Sequence, residues 1–288
     1  MTTVPSLPEQ IDAFAKLRRY FAPEEGSHSY AAIQSYLSSK IDAQGAINQI
    51  APPIEEAYTT GDYGRKMYLW DLYYSILHSA KRIPWTDGPA QEKLLDLMKA
   101  LKSRSDPEAP FKRLQLTPDV HPNWVLTSDG LWSTLLMLGP SAREAWDDGP
   151  GCGAEFQDPE ARAWANVNAF AARITRDGIG DWWWWAIWAL RDALEPRYKR
   201  NEKYKLDVFV PAAAVWLLIL HDHIWNRVRA EKEKLWSKEK YLEARIRNKE
   251  ESVLAFNTRR WAFWRERFGH IMIDEEVREE TRRVAKMA

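Results

Sequence analysis

The chain has 288 residues with 41 basic and 41 acidic side chains, so its formal net charge is zero. That balance excludes the broad basic field of a nucleic-acid binder. Its single cysteine, Cys152, excludes an intramolecular disulfide or a cysteine metal cluster.

The length allows one large domain or two modest ones with a substantial core. One cysteine fits a reducing, cytoplasmic setting. The opening "MTTVPSLPEQIDAFAKLRRY" lacks the basic segment and apolar stretch of a secretory signal. The longest apolar run, Val208 to Leu220, holds thirteen residues including Pro211. It reads as a core segment, too short for a bilayer.

The elements are helical throughout, with no period-two alternation or hairpin signal. Pro8 opens "PEQIDAFAKLRRYF", and Ser27 or Ser29 caps "YAAIQSYLSSKI". Pro52 and Pro53 are expected to separate two short helices, "DAQGAINQIA" and "PIEEAYTT". Gly61-Asp62 opens the long "YGRKMYLWDLYYSILHSAKRI", which ends before Pro84; "GPAQEKLLDLMKALKSR" is amphipathic with Pro89 near its start.

Residues 104 to 128 read as a long connection. "GLWSTLLMLGPSAREAWDD" is expected to be helical with a break at Gly139-Pro140, and "GPGCGAEF" to be a loop. "DPEARAWANVNAFAARITRDG" closes at Gly178. "DWWWWAIWALRDALE" follows, then a helix from Asp207 to about Leu235, two charged helices with scattered aromatics, and "DEEVREETRRVAKM". The expected fold is an all-α, single-domain bundle over 1–288 with a central buried helix and an aromatic-lined cavity.

Sixteen tryptophans sit in this chain, four of them consecutive. Four successive helical residues point in four directions, so these rings divide between core filling and other surfaces. Rings lining a cavity would stabilise a cation.

Two acids stand out. Around Asp71 the helix is apolar over most of its circumference, leaving Asp71, Ser75 and His78 on a narrow stripe that faces either water or a polar pocket. Asp222 shares a stripe with Asn226, Arg229 and Glu233, continuous with Val215, Leu218 and Ile219. The run upstream is apolar all round, so this stripe is expected to face inward. His221 and His223 lie on nearly opposite sides and do not chelate one metal together. An acid and an amide at i and i+4 reach one hard cation, and such oxygen ligands suit Mg²⁺; the competing reading pairs Asp222 with an Arg or Lys.

Asn166, Phe170 and Arg173 align on one face, where Arg173 would hold phosphate oxygens. Arg176 and Asp177 stand at the helix end. For each of these the plainer alternative is an ordinary ion pair. Asp147-Asp148 runs into a loop composition and is set aside as a metal motif. No Gly-rich phosphate loop and no GxSxG occur, and 227 to 250 reads as a solvated helix face.

Three stretches, "LWDLYYSILHSAKRIPWTDGPAQEKLLDLMKALK", "WANVNAFAARITRDGIGDWWWWAIWALRDALE" and "PAAAVWLLIL", resemble a fungal all-helical family over about residues 60 to 225. One branch of that family contains fungal humulene synthases, sesquiterpene cyclases that use Mg²⁺ and farnesyl diphosphate. The resemblance implies a cyclase that ionises farnesyl diphosphate and closes the cation to humulene. Asp71, Asp222, Asn226 and Glu233 would hold the metal, and Arg173 or Arg176 the diphosphate. Trp70, Tyr74, Asn166, Phe170, Trp216, Lys240, Tyr241 and one or two of Trp182 to Trp185 would contact substrate.

The chain departs from the usual motifs of that class: Asp71 stands alone where an aspartate-rich motif is expected, and Ala230 occupies the expected glutamate position of the second motif. A non-enzymatic helical interaction protein, or a metal-independent terpenoid binder or pericyclase, fits the same residues.

Overall fold

The computed structural model describes residues 5–19, 21–22, 26–60, 67–108, 130–151, 156–233, 256 and 258–288, with the side chains of 230–233 left aside. Its described residues form eleven α-helices and no strand. They belong to two compact units, Met1–Val167 and Asn168–Ala288.

The first unit holds α1 (Leu7–Leu17), α2 (Tyr30–Leu37), α3 (Ala43–Thr60), α4 (Met67–Arg82), α5 (Gly88–Lys102) and α6 (Leu138–Asp147). Helix α4 packs against all five others. That placement follows from its composition, for every residue from Ser75 to Lys81 is buried. Helix α5 starts where expected: Asp87 accepts from the Ala90 N–H at 3.1 Å, and Pro89 occupies the first turn, where its missing donor costs nothing.

Two expected breaks fall elsewhere. Helix α3 runs unbroken through Pro52 and Pro53. The prolines release the carbonyls of Asn48 and Gln49, both exposed residues, so water can satisfy what the helix loses. The second break precedes Gly139-Pro140. Leu135 and Met137 take left-handed backbone angles of φ 50° and 71°, and α6 begins immediately after them. Pro140 therefore lies in the first turn, the position a helix tolerates best.

Helix α7 (Asp158–Arg176) begins in the first unit and ends in the second. Asn166, expected at a substrate site, joins structural elements instead. Its Oδ1 accepts from the Trp85 N–H at 2.8 Å, its Nδ2 donates to the Lys81 carbonyl at 2.8 Å, and its own carbonyl accepts from Gln91 Nε2 at 3.3 Å. One amide thus satisfies an orphan carbonyl at the end of α4 and the Trp85 N–H within the turn that follows. Gly178 takes the left-handed angle that stops α7, as its position predicts.

The second unit contains α8 (Trp183–Leu194), α9 (Tyr204–Glu233), α10 (Thr258–Met272) and α11 (Glu279–Met287). Helix α9 packs against α8, α10 and α11. Its stretch Tyr204–Arg229 is long and apolar enough to cross a bilayer by length and composition, a wider span than the thirteen-residue run suggests, yet just over half of its most apolar window is buried within the fold. The four tryptophans do divide: Trp182 and Trp185 are buried, and Trp184 is 50% exposed.

His78 is fully buried, and its Nε2 lies 2.8 Å from Asp12 Oδ1. Burial outweighs the nearby carboxylate and holds the imidazole below its ordinary value near 6.5. The unfolded chain therefore takes up a proton near that pH while the folded chain does not. Stability attributable to His78 is complete above about 6.5 and declines as the pH falls below it. Urea denaturation at stepped pH should show this decline in the natural chain and a flatter profile in His78→Gln. Asn166→Ala should cost about 2–3 kcal/mol in the same assay, since it strands one buried and one partly buried backbone group.

Candidate functional site

The polar stripe of α4 faces protein. Asp71 Oδ2 accepts from the N–H groups of His28 and Ser29, at 3.0 and 2.9 Å, just ahead of α2. Ser75 is 3.1 Å from the Ser27 hydroxyl and His78 pairs with Asp12. Asp71 is thus engaged as the N-terminal anchor of α2, where the helix itself provides no side-chain cap. Trp70 and Tyr74 are half-buried neighbours with ring centroids 5.4 Å apart, and burial pushes the Tyr74 phenol up to about 12.

Asp222 is a correction. Its side chain is 91% exposed and its Oδ1 lies 3.1 Å from His221 Nδ1. Asn226 and Arg229 are exposed with it, and Leu218 on the same stripe is partly exposed. The buried stripe of α9 runs instead through Leu217, Leu220, Ile224 and Val228. An all-apolar run carries no rotational phase, so the inward face cannot be extrapolated from it. The phase is set downstream, where Ile224 and Val228 are the apolar residues among charged and polar ones.

The remaining candidates divide similarly. Phe170 and Trp216 are fully buried core residues, and Trp216 Nε1 donates to Asn168 Oδ1 at 2.7 Å. Arg173 is buried and donates to the Ala169 carbonyl at 3.2 Å. Arg176 Nε donates to Asp177 Oδ1 at 2.6 Å. Lys240, Tyr241 and the Glu233 side chain lie outside the described residues. Among the described residues no three His, Cys, Asp or Glu side chains gather at one place.

A different feature of the second unit has the dimensions of a ligand site. A groove of about 500 Å³ lies among α9, α10 and α11. Leu217, His221 and Trp225 line it from α9, one residue per turn. Trp261, Trp264, Arg265, Phe268 and Met272 line it from α10, and Lys286 from α11. Trp225 and Trp261 face each other with centroids 5.7 Å apart. Trp264 is fixed from behind, its Nε1 donating to Glu195 Oε1 at 3.2 Å while Arg260 holds that oxygen at 2.6 Å. The groove thus combines aromatic walls with two cations and a histidine. Its signal was legible in the helical spacing of Trp261, Trp264, Phe268 and Met272, but a charge-rich segment with scattered aromatics draws attention to its charges.

A family model described as "Protein of unknown function (DUF3632)" matches residues 73–268, about two thirds of the chain, so the chain belongs to that family. The match takes in both α9 and most of α10, beyond the 60-to-225 range of the sequence resemblance. No curated protein and no solved structure matches the chain.

Asp71→Ala should lower stability by about 1 kcal/mol, the usual cost of a lost cap, with Asp71→Asn nearer the natural chain. Denaturant midpoints of the two variants measure the difference.

Proposed function

We propose that this chain binds an apolar small molecule with an anionic head, of the prenyl diphosphate class that the resemblance implies, in the groove of its C-terminal unit. The observation that carries the reading is the groove itself. Its volume falls in the roughly 300–1,000 Å³ range of small-molecule sites, and such sites pair mostly apolar walls with a few polar groups. Trp225 and Trp261 offer faces to an apolar chain, with buried Trp264 behind them, and Arg265 and Lys286 offer charge to a phosphate or carboxylate head.

Cyclisation of farnesyl diphosphate to humulene is a second reading. One observation favours it: Asp222 pairs with groove-lining His221, which brings a carboxylate near the groove. Against it stand the engagement of Asp71, the exposure of Asp222 and the lack, among the described residues, of any group of three ligating side chains. Binding is therefore the function that the geometry supports best.

Titration of intrinsic tryptophan fluorescence distinguishes these readings. Farnesyl diphosphate should quench saturably, farnesol more weakly, and inorganic diphosphate not at all. Trp261→Ala and Arg265→Ala should each weaken binding about tenfold, equivalent to about 1.4 kcal/mol. Absence of saturable quenching by either prenyl compound would overturn the proposal and favour a helical interaction protein. Hydrocarbon formed with Mg²⁺ and abolished by EDTA, detected by gas chromatography, would establish the cyclase reading.

A further inference from the structure

The groove of the second unit has a buried base and an apolar rim. Leu217, Trp264, Phe268 and Ala285 form the base, all buried. Trp225 and Met272 line the groove but stand exposed. Leu218, also exposed, precedes Trp225 by seven residues on α9, two turns earlier on nearly the same line. Ile273 and Met287, 69% and 55% exposed, directly follow the lining residues Met272 and Lys286. Five large apolar side chains therefore meet water on or beside one groove.

Charge on this rim is one-sided. Arg265 and Lys286 line the groove, are exposed, and enter no ion pair among the described residues. No acidic side chain is among the described lining residues. Nearby acids are mostly neutralised: Asp222 pairs with His221, Asp274 with Lys203, and Glu276 with Lys203 and Arg200. Glu275 is the exception, exposed without such a pair.

We infer that the rim of this groove docks on the surface of an anionic lipid bilayer. An exposed apolar patch marks a protein or a membrane contact. Tryptophan and aliphatic side chains beside free cations are the composition that settles at the headgroup boundary, with the cations toward anionic lipid. Leu218 and Trp225 also belong to the stretch of α9 that is apolar enough for a bilayer yet only partly buried in the fold. The contact is peripheral, since the base of the groove stays within the protein. Its use rests on the groove being a ligand site, as proposed above: a long apolar chain partitions into lipid, and a docked rim takes it up there without crossing water.

Sedimentation of the full chain with vesicles tests this. No prenyl compound is present, so the result is separate from that of the quenching titration. The chain should pellet with vesicles containing phosphatidylserine, about tenfold more weakly with phosphatidylcholine alone, and should be released by high salt. Ile273→Glu and Met287→Glu should each weaken pelleting about tenfold, and Lys286→Gln about fivefold. Leu17→Glu, at an exposed apolar position of the first unit, should change nothing. All four positions are exposed, and circular dichroism checks that each variant keeps its helices. Failure to pellet with anionic vesicles overturns the inference, as does an equal loss in Leu17→Glu or full retention in both Ile273→Glu and Met287→Glu. A dimer that Ile273→Glu dissolves, with no vesicle binding, would assign the patch to a second copy and overturn it too.

Discussion

A helix buried on nearly every side depends on protein partners for the polar groups it carries, and α4 is such a helix, although its Tyr73 Oη and His78 Nδ1 find none. Asp71, Ser75 and His78 sit where water cannot satisfy them fully, and each is matched from another segment: the backbone ahead of α2, the Ser27 hydroxyl and Asp12. The pairing fixes the approach of α1 and α2 more strictly than apolar contact would, because an unpaired buried polar group costs about 1–3 kcal/mol while a misplaced methyl costs less. The same rule governs Asn166, whose amide closes the end of α4. Residues that look like chemistry in the sequence are here committed to architecture.

The helical class, the start of α5, the stop at Gly178 and the division of the tetra-tryptophan were legible because each depends on local chemistry: caps, left-handed turns and helical periodicity. The face presented by Asp222 was not. It depends on rotational phase, which thirteen consecutive apolar-run residues do not encode. Pro52-Pro53 misled for a related reason. Whether a proline pair breaks a helix depends on who receives the released carbonyls, and that is a matter of exposure. The stripe of α4 was read correctly as narrow, but whether it met solvent or protein depended on segments far away in sequence.

The groove was half legible. Apolar and aromatic residues recur along α10 at helical spacing, and Leu217, His221 and Trp225 follow one line of α9. What the sequence does not encode is that those two lines meet, since contact between helices separated by an intervening segment is a tertiary fact. Membership of the family speaks to the fold the chain adopts and leaves chemistry to the site.

The physical distinction between a binder and a cyclase of the same apolar ligand is the treatment of water. A carbocation survives only where water is excluded and the leaving charge is held by fixed cations or metals. Trp225, one wall of the groove, is 38% exposed, and Met272 at the other side is 37% exposed. A neutral hydrocarbon chain gains from such walls in proportion to the area it covers, exposed rim included. A developing cation would be quenched through the same opening. The aromatic surface is therefore common to both functions, and closure together with metal ligation separates them. In the described residues the groove supplies the surface and the cations, while the acids that ionisation would need lie in solvent or in the joints of the fold.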